Sequence, residues 1–360
     1  MKSKRLESLD ILRGADMFLL TTFGPIVTML AHGNRSGILY QFHHVQWEGF
    51  VLWDLIMPLF MFMSGVTIPF SMAKYRSGDA PKSQALLRIA RRFAALWILG
   101  MIAQGNLLKF DLSVLRLYSN TLQTIAVGYA ACALMFLYCP RPKVHVSAGV
   151  ILLLAYWAAM MFVKFDGYGG GDFTPDGNLC EGIDRAVLGR FRDGATPMAD
   201  GSVRFSSHYR YTWLLSSLTF IVTVLMGMLS GELLKSGRAH RSAILFGIGA
   251  ACAAAGWLWG FQMPVIKKIW TSSMTLVAGG CSMMLLAGCH WLIDVKDKGH
   301  KALGWLRIYG CNAILAYMIM ELGWIFHPEG WSDEAVTLCN IGIIIVVLLL
   351  CWWKKLFIRV

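Results

Sequence analysis

Apolar runs long enough to cross a bilayer recur along this chain, and they constrain its fold more than any other feature. A helix of about 20 apolar residues spans the hydrocarbon core of a membrane, and the chain repeats runs of that kind. Only 15% of its residues are charged, against about 25% in soluble proteins. The alternating strand pattern of a membrane barrel is not found. The sequence therefore predicts an all-α polytopic membrane protein.

We expect about ten transmembrane helices in a single domain that covers residues 1–360. The predicted spans are 14–32, 50–73, 93–109, 120–138, 144–163, 211–233, 242–261, 271–292, 303–323 and 335–353. Lys and Arg are concentrated in every second connector, and such an excess of positive charge is typical of cytoplasmic loops. Both termini are then cytoplasmic. The extracytoplasmic loop at 164–210 is predicted to hold one short helix at 181–189 and otherwise turns.

A net charge of +12 would suggest a nucleic-acid partner if the protein were soluble, but here the topology of a membrane protein accounts for the charge. We therefore expect membrane lipid as a partner and no nucleic acid. Most of the nine cysteines lie in or against apolar runs. They show no CxxC or metal-ligand spacing, so we expect small core residues and no metal. The segment LDILRG leads straight into a helix, and no signal peptide is expected.

The stretch FHHVQWEGFVLWDLIMPLFMFMSG places titratable groups where an apolar run begins. With a helix that starts one residue after His44, His44 and Glu48 share a face. Glu48 would then accept a hydrogen bond from His44 and leave the other ring nitrogen free as a base or nucleophile. Asp54 would lie about 15 Å deeper, where an ionisable group indicates function. The alternative is an interfacial belt formed by His43, His44 and Trp47.

Two sets of charged residues lie on the predicted cytoplasmic side. Asp10 and Arg13 are three apart in RLESLDILRG, as in a local ion pair or a carboxylate that holds an arginine for phosphate contact. The connector KYRSGDAPKSQALLRIARR gives Arg88, Arg91 and Arg92 a helical spacing. This patch suits either the phosphates of a nucleotide cofactor or lipid headgroups.

Further polar residues interrupt later apolar segments. Lys267 and Lys268 lie on the side that is poor in positive charge, so they either bind an anionic group or pair with acids of the long loop. Asn312, inside the ninth span, suits a hydrogen bond between helices. Glu321, near the outward end of that span, could reach the layer of His44. Composition and spacing alone do not choose between an enzyme and a transporter.

The order and content of five segments resemble the family of heparan-α-glucosaminide N-acetyltransferase and its bacterial relatives, within a wider superfamily of transmembrane acyltransferases. The segments are RLESLDILRG, HHVQWEGFVLWDLIMPLFMFMSG, TPDGNLCEGIDRAVLG, MPVIKKIWTSSMTL and YGCNAILAYMIMEL. The resemblance covers essentially the whole chain. It implies transfer of an acetyl group from cytoplasmic acetyl-CoA to an amino sugar or related glycan acceptor on the periplasmic side of a bacterial inner membrane. A homodimer is also compatible with it.

The resemblance carries over residue by residue. The family's active-site histidine maps onto His44, its motif aspartate onto Asp54, its entrance pair onto Asp10 and Arg13, and its late asparagine onto Asn312. Two motifs differ: LQR reads LQT at 122–124, and DPEG reads RYTW at 210–213. An additional histidine, His43, precedes the matched one, and no extended N-terminal luminal domain is expected.

The resulting hypothesis is a His-dependent acetyltransferase, with an amino-sugar or N-acetylglucosamine permease without acyl transfer as the alternative. The predicted catalytic residues are His44, Glu48, Asp54 and Asn312. Glu48 or Asp54 would orient the imidazole, and Asn312 would donate to the developing oxyanion. The predicted cofactor-binding residues are Asp10, Arg13, Arg88, Arg91 and Arg92. The predicted substrate-binding residues are His43, Trp47, Lys267, Lys268 and Glu321.

Overall fold

The computed structural model describes residues 6–108, 115–208, 210–323 and 328–357. The α-helices in this part of the chain are α1 (Glu7–Phe18), α2 (Gly24–Leu30), α3 (Leu52–Val66), α4 (Ile68–Ser71), α5 (Ala73–Arg76), α6 (Lys82–Ala103), α7 (Thr121–Tyr138), α8 (Pro142–Phe162), α9 (Leu179–Leu188), α10 (Ser217–Lys235), α11 (Arg241–Trp259), α12 (Ser272–Cys289), α13 (His300–Leu303), α14 (Arg307–Cys311), α15 (Ala313–Glu321) and α16 (Asp333–Trp353). Single π turns occupy Leu19–Phe23 and His290–Val295, and short 3-10 helices occupy Gly37–Phe42, Gly189–Phe191 and Gly304–Leu306.

Seven helical segments in the described residues are long and apolar enough to cross a membrane. They are Leu52–Ser71, Thr121–Tyr138, Pro142–Phe162, Ser217–Lys235, Arg241–Trp259, Ser272–Val295 and Asp333–Trp353. An eighth is obtained when His300–Cys311 and Ala313–Glu321, bent by 63° at Asn312, are counted as one span. The helical class is thus confirmed, whereas the count of about ten and the cytoplasmic termini stay predictions.

The two remaining predicted spans also lie on helices, but these helices are less suited to lipid. The first, at 14–32, is divided between α1 and α2 by a π turn. The other, at 93–109, overlaps α6, which begins at Lys82 and ends at Ala103. The first half of α6 therefore carries Arg88, Arg91 and Arg92 of the basic connector. Residue 109 lies outside the described residues. The basic stretch is therefore helical and continuous with an apolar segment.

Glycines let α3 and α10 cross with their backbones in contact. A Cβ added to Gly227 would lie 1.9 Å from the carbonyl oxygen of Phe62, and one added to Gly65 would lie 2.0 Å from that of Val224. Small residues at helix crossings are typical of membrane proteins, where close van der Waals packing replaces the hydrophobic effect as the driving force. This crossing fixes α3, the helix on which much of the site is built.

We expect Gly227→Ala to destabilise the protein by about 1–3 kcal/mol, because the new methyl group overlaps the backbone of α3 and the helices must separate. The matched control is Gly288→Ala on α12, where an added Cβ meets nothing within 4 Å. Thermal unfolding in detergent measures both variants. Equal midpoints for the two would show that the α3–α10 contact is not tight.

The long loop at 164–210 is fixed by buried charges. Its helix α9 confirms the predicted short helix, and two small antiparallel hairpins join it: β1 (Lys164–Phe165) with β2 (Tyr168–Gly169), and β3 (Ala195–Pro197) with β4 (Val203–Phe205). Arg192 and Glu181, both buried, are 2.5 Å apart. The carboxylate of Asp184 accepts the N–H groups of Trp213 and Leu214 over 2.7 and 3.0 Å, and burial raises its pKa to about 7. These contacts anchor the chain that leads into α10.

Candidate active site

The imidazole of His44 is hydrogen-bonded to a buried carboxylate. His44 follows the 3-10 helix Gly37–Phe42, and Asp54 lies in the first turn of α3. Nδ1 of His44 is 2.7 Å from Oδ1 of Asp54, which is 1% exposed. A carboxylate accepts a hydrogen bond from Nδ1–H, so the lone pair of the neutral ring is on Nε2. The pair therefore presents a base or nucleophile of defined tautomer.

This pairing selects Asp54 from the two carboxylates predicted to orient His44, and it excludes Glu48. Because α3 begins at Leu52 rather than directly after His44, His44 and Glu48 do not share a helical face. Glu48 is exposed and makes no hydrogen bond to His44 among the described residues. Asp54 does not lie deeper along a helix from His44 but contacts it directly. The carboxylate that orients the imidazole is therefore that of Asp54.

Contacts with two other loops explain why the segment between His44 and α3 is not helical. Gly49 adopts a φ of +119°, and its N–H donates to a carbonyl in the connector between α11 and α12 over 2.8 Å. The indole of Trp47 donates to a carbonyl of the long loop over 2.9 Å, and Nζ of Lys268 donates to the carbonyl of Gln46 over 2.6 Å. Trp47 and Lys268, predicted to bind substrate, thus position the backbone beside His44.

Lys267 adds a positive charge to the cluster. Its Nζ is 3.5 Å from Oδ1 of Asp54 and 3.4 Å from Nδ1 of His44, and its side chain is 6% exposed. An ammonium group cannot accept a hydrogen bond, and Nδ1–H already donates to the carboxylate, so the favourable contact is the ion pair with Asp54. Lys267 therefore pairs with an acid of α3 and not with one of the long loop.

Burial changes the ionisation of the two basic groups. It lowers the pKa of Lys267 to about 8, although the charge of Asp54 opposes this change. It also lowers the pKa of His44 below its ordinary value, and the positive charge of Lys267 acts in the same direction, against the hydrogen bond to Asp54. His44 is consequently neutral at pH 7, which is the form that a general base requires.

We expect Lys267→Met to shift the acid limb of the pH–activity profile to higher pH. The sign follows because the positive charge of Lys267 lowers the pKa of His44, so its removal raises that pKa and protonates the base at higher pH. Lys268→Met, at a partly exposed position, should shift the limb less. Initial rates between pH 5 and 9 measure the effect, and identical acid limbs in all three proteins would contradict it.

A cavity of ≈ 320 Å³ opens beside His44; we call it the His44 cavity. Three aromatic side chains, Trp53, Tyr211 and Trp213, form part of its wall. Its polar lining includes His44, Lys267, Asn120, Asp193, Tyr317 and Glu321. Aromatic walls with a few polar groups are typical of sites for small polar ligands. Glu321 thus lies on the same cavity as His44.

Further cavities lie next to this site and next to the arginines of α6. The arginine groove (≈ 590 Å³) is lined by Arg88, Arg91 and Arg92, and the arginine cavity (≈ 240 Å³) shares Arg88 and Arg92 with it. Phe60 lines both the arginine cavity and the His44 cavity. On the opposite side, a rim groove of ≈ 660 Å³ shares His44 with the His44 cavity. The four spaces therefore form a series from the arginines to His44 and beyond.

The predicted entrance pair and the extra histidine lie at opposite ends of this series. Nη1 of Arg13 is 3.6 Å from Oδ1 of Asp10, and Arg13 lines the arginine cavity. Nε of Arg92 is buried without a hydrogen-bond partner among the described residues. His43 lines the rim groove. Cationic donors thus gather at one end and histidines at the other.

Asn312 is not near His44. Its Nδ2 donates to the carbonyl of Leu356, beyond the end of α16, over 3.1 Å. The first turn of α16, with Asp333, lines the rim groove beside His44. The 21 residues of α16 separate these ends by about 30 Å at 1.5 Å per residue. The predicted oxyanion donor therefore lies at the arginine end, and its neighbours in sequence line the arginine cavity.

Several lining residues were not singled out from the sequence. Trp53, Tyr211 and Trp213 are aromatic residues near predicted span ends, where an interfacial belt is the ordinary interpretation. Asn120 is the first residue of a predicted span, and its side chain caps α7 while its Nδ2 donates to the hydroxyl of Tyr317 over 3.0 Å. The sequence signal that could have identified these lining residues was the concentration of polar and aromatic residues at several span ends.

The fold and the site define a polytopic helical membrane protein with a His–Asp–Lys cluster on a path of cavities between its helices. No family model matches the chain. It is 25% identical over 375 residues to heparan-alpha-glucosaminide N-acetyltransferase of Homo sapiens, covering 91% of this chain and 54% of that protein. It is 24% identical over 379 residues to the Mus musculus protein of the same name, covering 92% and 56%. These matches support a family relationship with heparan-alpha-glucosaminide N-acetyltransferase.

The relationship leaves part of the larger proteins unmatched. The chain spans about half the length of these two curated relatives. A UPF0060 membrane protein of Methylocella silvestris is 29% identical over 111 residues, which cover 30% of this chain and 94% of that protein. The similarity to the two acetyltransferases extends over nearly all of the present chain.

Proposed function

We propose that the protein is a transmembrane acetyltransferase that transfers the acetyl group of cytoplasmic acetyl-CoA to an amino sugar or related glycan acceptor on the opposite face of a bacterial inner membrane. The observation that carries this proposal is the series of cavities from the arginine groove to His44. A donor with a charged head and a long neutral arm suits such a path. The relationship to named N-acetyltransferases supports the same reaction class.

The arginine end suits the donor's phosphates. Arg88, Arg91 and Arg92 line an open groove, and Arg13 faces the adjoining cavity. Guanidinium groups bind phosphate through several charge-assisted hydrogen bonds. The arm of the donor would then follow α3 toward His44, with the thioester leading. Asp10 holds Arg13 at this entrance.

The chemistry at His44 needs only a neutral imidazole. In direct transfer, Nε2 removes a proton from the acceptor amine while the amine nitrogen attacks the thioester carbonyl. The new C–N bond replaces the C–S bond, and the proton passes to the departing thiolate. In the covalent route, Nε2 itself attacks the thioester carbonyl, so that a bond from Nε2 to the acetyl carbon replaces the C–S bond and the thiolate departs. The amine then attacks the acetyl group, a new C–N bond replaces the bond to Nε2, and the amine proton passes to the freed imidazole. Asp54 supports both routes by fixing the tautomer and stabilising a positive ring.

The His44 cavity suits a sugar acceptor. Aromatic faces such as those of Trp53 and Trp213 pack against the apolar face of a pyranose, while Asn120, Tyr317 and Glu321 offer hydrogen bonds to hydroxyl or amino groups. The rim groove, which contains His43, gives the acceptor a way in. A homodimer stays a prediction.

Sealed proteoliposomes test the proposal. Acetyl-CoA is added outside and glucosamine is enclosed; thiol release and the mass of the enclosed product are followed. We expect acetylated sugar inside and free CoA outside, because the two substrates approach from opposite faces. Product only when both substrates share one compartment would contradict transfer across the membrane. Sugar flux without thioester loss, unchanged in His44→Ala, would instead favour the permease.

A further inference from the structure

We propose that Phe60 forms the restriction between the donor path and the acceptor site, and that it limits the size of the acyl group that reaches His44. This inference rests on the proposed acetyl transfer. Phe60 is the residue shared by the linings of the His44 cavity and the arginine cavity. An acyl group that moves from one cavity to the other must therefore pass its ring.

The position of Phe60 on α3 explains why it separates two different environments. Residues three or four apart share one face of a helix, and on this face Trp53 and Met57 line the His44 cavity while Ser64 and Thr67 line the arginine cavity. Phe60 lies between the two pairs. From Asp54, which orients His44, to Phe60 is six residues, or about 9 Å along the helix.

Apolar side chains are part of the lining of both cavities that share Phe60. Met17, Leu20 and Met320 line the His44 cavity. Leu96, Ile125 and Ile314 line the arginine cavity. Apolar linings disfavour water and ions, because polar groups lose their hydration in apolar surroundings. A neutral pantetheine arm and a small acyl group pass at lower cost, so the restriction keeps the membrane sealed while the donor is bound.

A proline next to this point loosens the helix. Pro58 lies inside α3, and because proline has no N–H it cannot donate to the carbonyl of Asp54 four residues earlier. One hydrogen bond of the helix is thus missing in the turn that joins Asp54 to Phe60. Local adjustment of the Phe60 ring therefore costs less here than in an uninterrupted helix.

Acyl-chain selectivity provides the first test. Initial rates are measured with acetyl-, propionyl- and butyryl-CoA for the wild type, Phe60→Ala, Phe60→Leu and Phe60→Trp. We expect Phe60→Ala to raise the butyryl-to-acetyl ratio of kcat/KM by about 10-fold or more, since one methylene in a tight pocket changes discrimination by about 10–200-fold. Phe60→Trp should lower this ratio, and the ratio for Phe60→Leu should fall between those of the wild type and Phe60→Ala. Phe246→Ala, at an exposed position on α11, is the control for loss of a phenylalanine.

A labelling experiment tests the restriction without relying on activity. Ser64→Cys, on the arginine side of Phe60, is exposed to a membrane-impermeant thiol reagent from the His44 face of sealed, oriented vesicles, and the modified peptide is quantified by mass spectrometry apart from the native cysteines. We expect little modification with Phe60 present and at least several-fold more with Phe60→Ala.

The two experiments separate the possible failures. An unchanged chain-length ratio in both Phe60→Ala and Phe60→Leu, with acetyl transfer intact, would overturn the size limit. Equal labelling with and without Phe60 would overturn the restriction itself. Labelling that increases in Phe60→Ala, together with no acetyl transfer by the wild type, would refute the proposed function and leave the restriction standing.

Discussion

Replacement of His44 by alanine is expected to lower kcat for acetyl transfer by about 10²–10⁴-fold, the usual contribution of a positioned general base. In the proposed mechanism, the neutral imidazole held by Asp54 over 2.7 Å accepts the amine proton or the acetyl group. Thermal stability should change little, because the His44 side chain is 45% exposed. Thioester cleavage with glucosamine present gives the rate.

His208→Ala, at an exposed histidine of the long loop, is the control for loss of an imidazole far from the cluster. Added imidazole should restore part of the activity of His44→Ala by entering the vacated space. Rapid quenching of the wild type with labelled donor and no acceptor separates the two routes, since only the covalent one leaves label on the protein. Full activity in His44→Ala would refute the mechanism.

Asp54→Ala is expected to have the largest effect on stability, about 3–5 kcal/mol, because it leaves the ammonium of Lys267 buried without its carboxylate. The upper bound on this loss of stability is the free energy of removing the proton from the lysine at pH 7. That free energy is about 1.4 kcal/mol for each pH unit between 7 and the ordinary lysine pKa of about 10.4. The destabilisation should therefore decrease as the pH rises toward 8 and stay constant above it, because the wild-type lysine, with a pKa of about 8, then loses its proton as well. Chemical denaturation in mixed micelles at several pH values measures it.

The double variant Asp54→Asn with Lys267→Met removes both charges and is the matched control for Asp54→Ala. It should recover most of the lost stability, since a buried ion pair replaced by neutral groups is often close to neutral in free energy. It should not recover activity, because a neutral amide in place of the carboxylate can donate to Nδ1 as well as accept from it. The amide therefore neither fixes the tautomer of His44 nor stabilises a positive ring. Equal destabilisation of the single and double variants would show that Lys267 does not depend on Asp54.

Most helices were predictable because apolar length is a local property. Each predicted span lies on a helical segment within the described residues, although two of these are less suited to lipid. The start of α3 was predicted too early at the active site, since hydrogen bonds from Gly49 and Trp47 to distant loops hold that segment open. Such contacts have no signature within a short window of sequence.

The site was predictable only in part. His44 and Asp54 were identified, and a charge inside an apolar run is a strong signal because lipid cannot solvate it. Asp54 was one of the two carboxylates predicted to orient His44, but its pairing with Lys267, a partner more than 200 residues away, was not foreseen. Phe60 carries no signal at all, because it is an apolar residue in an apolar run.

By itself, the sequence determined that this chain is a helical membrane protein and which titratable groups lie near its span ends, because the cost of placing charge in hydrocarbon depends on local composition. Only the tertiary structure decided which of these groups meet. In the folded chain, Asp54 contacts both His44 and Lys267, Asn312 lies at the arginine end of the series of cavities, and Phe60 lines two of these cavities. Those relations depend on how helices distant in sequence pack, and packing is set by the whole chain.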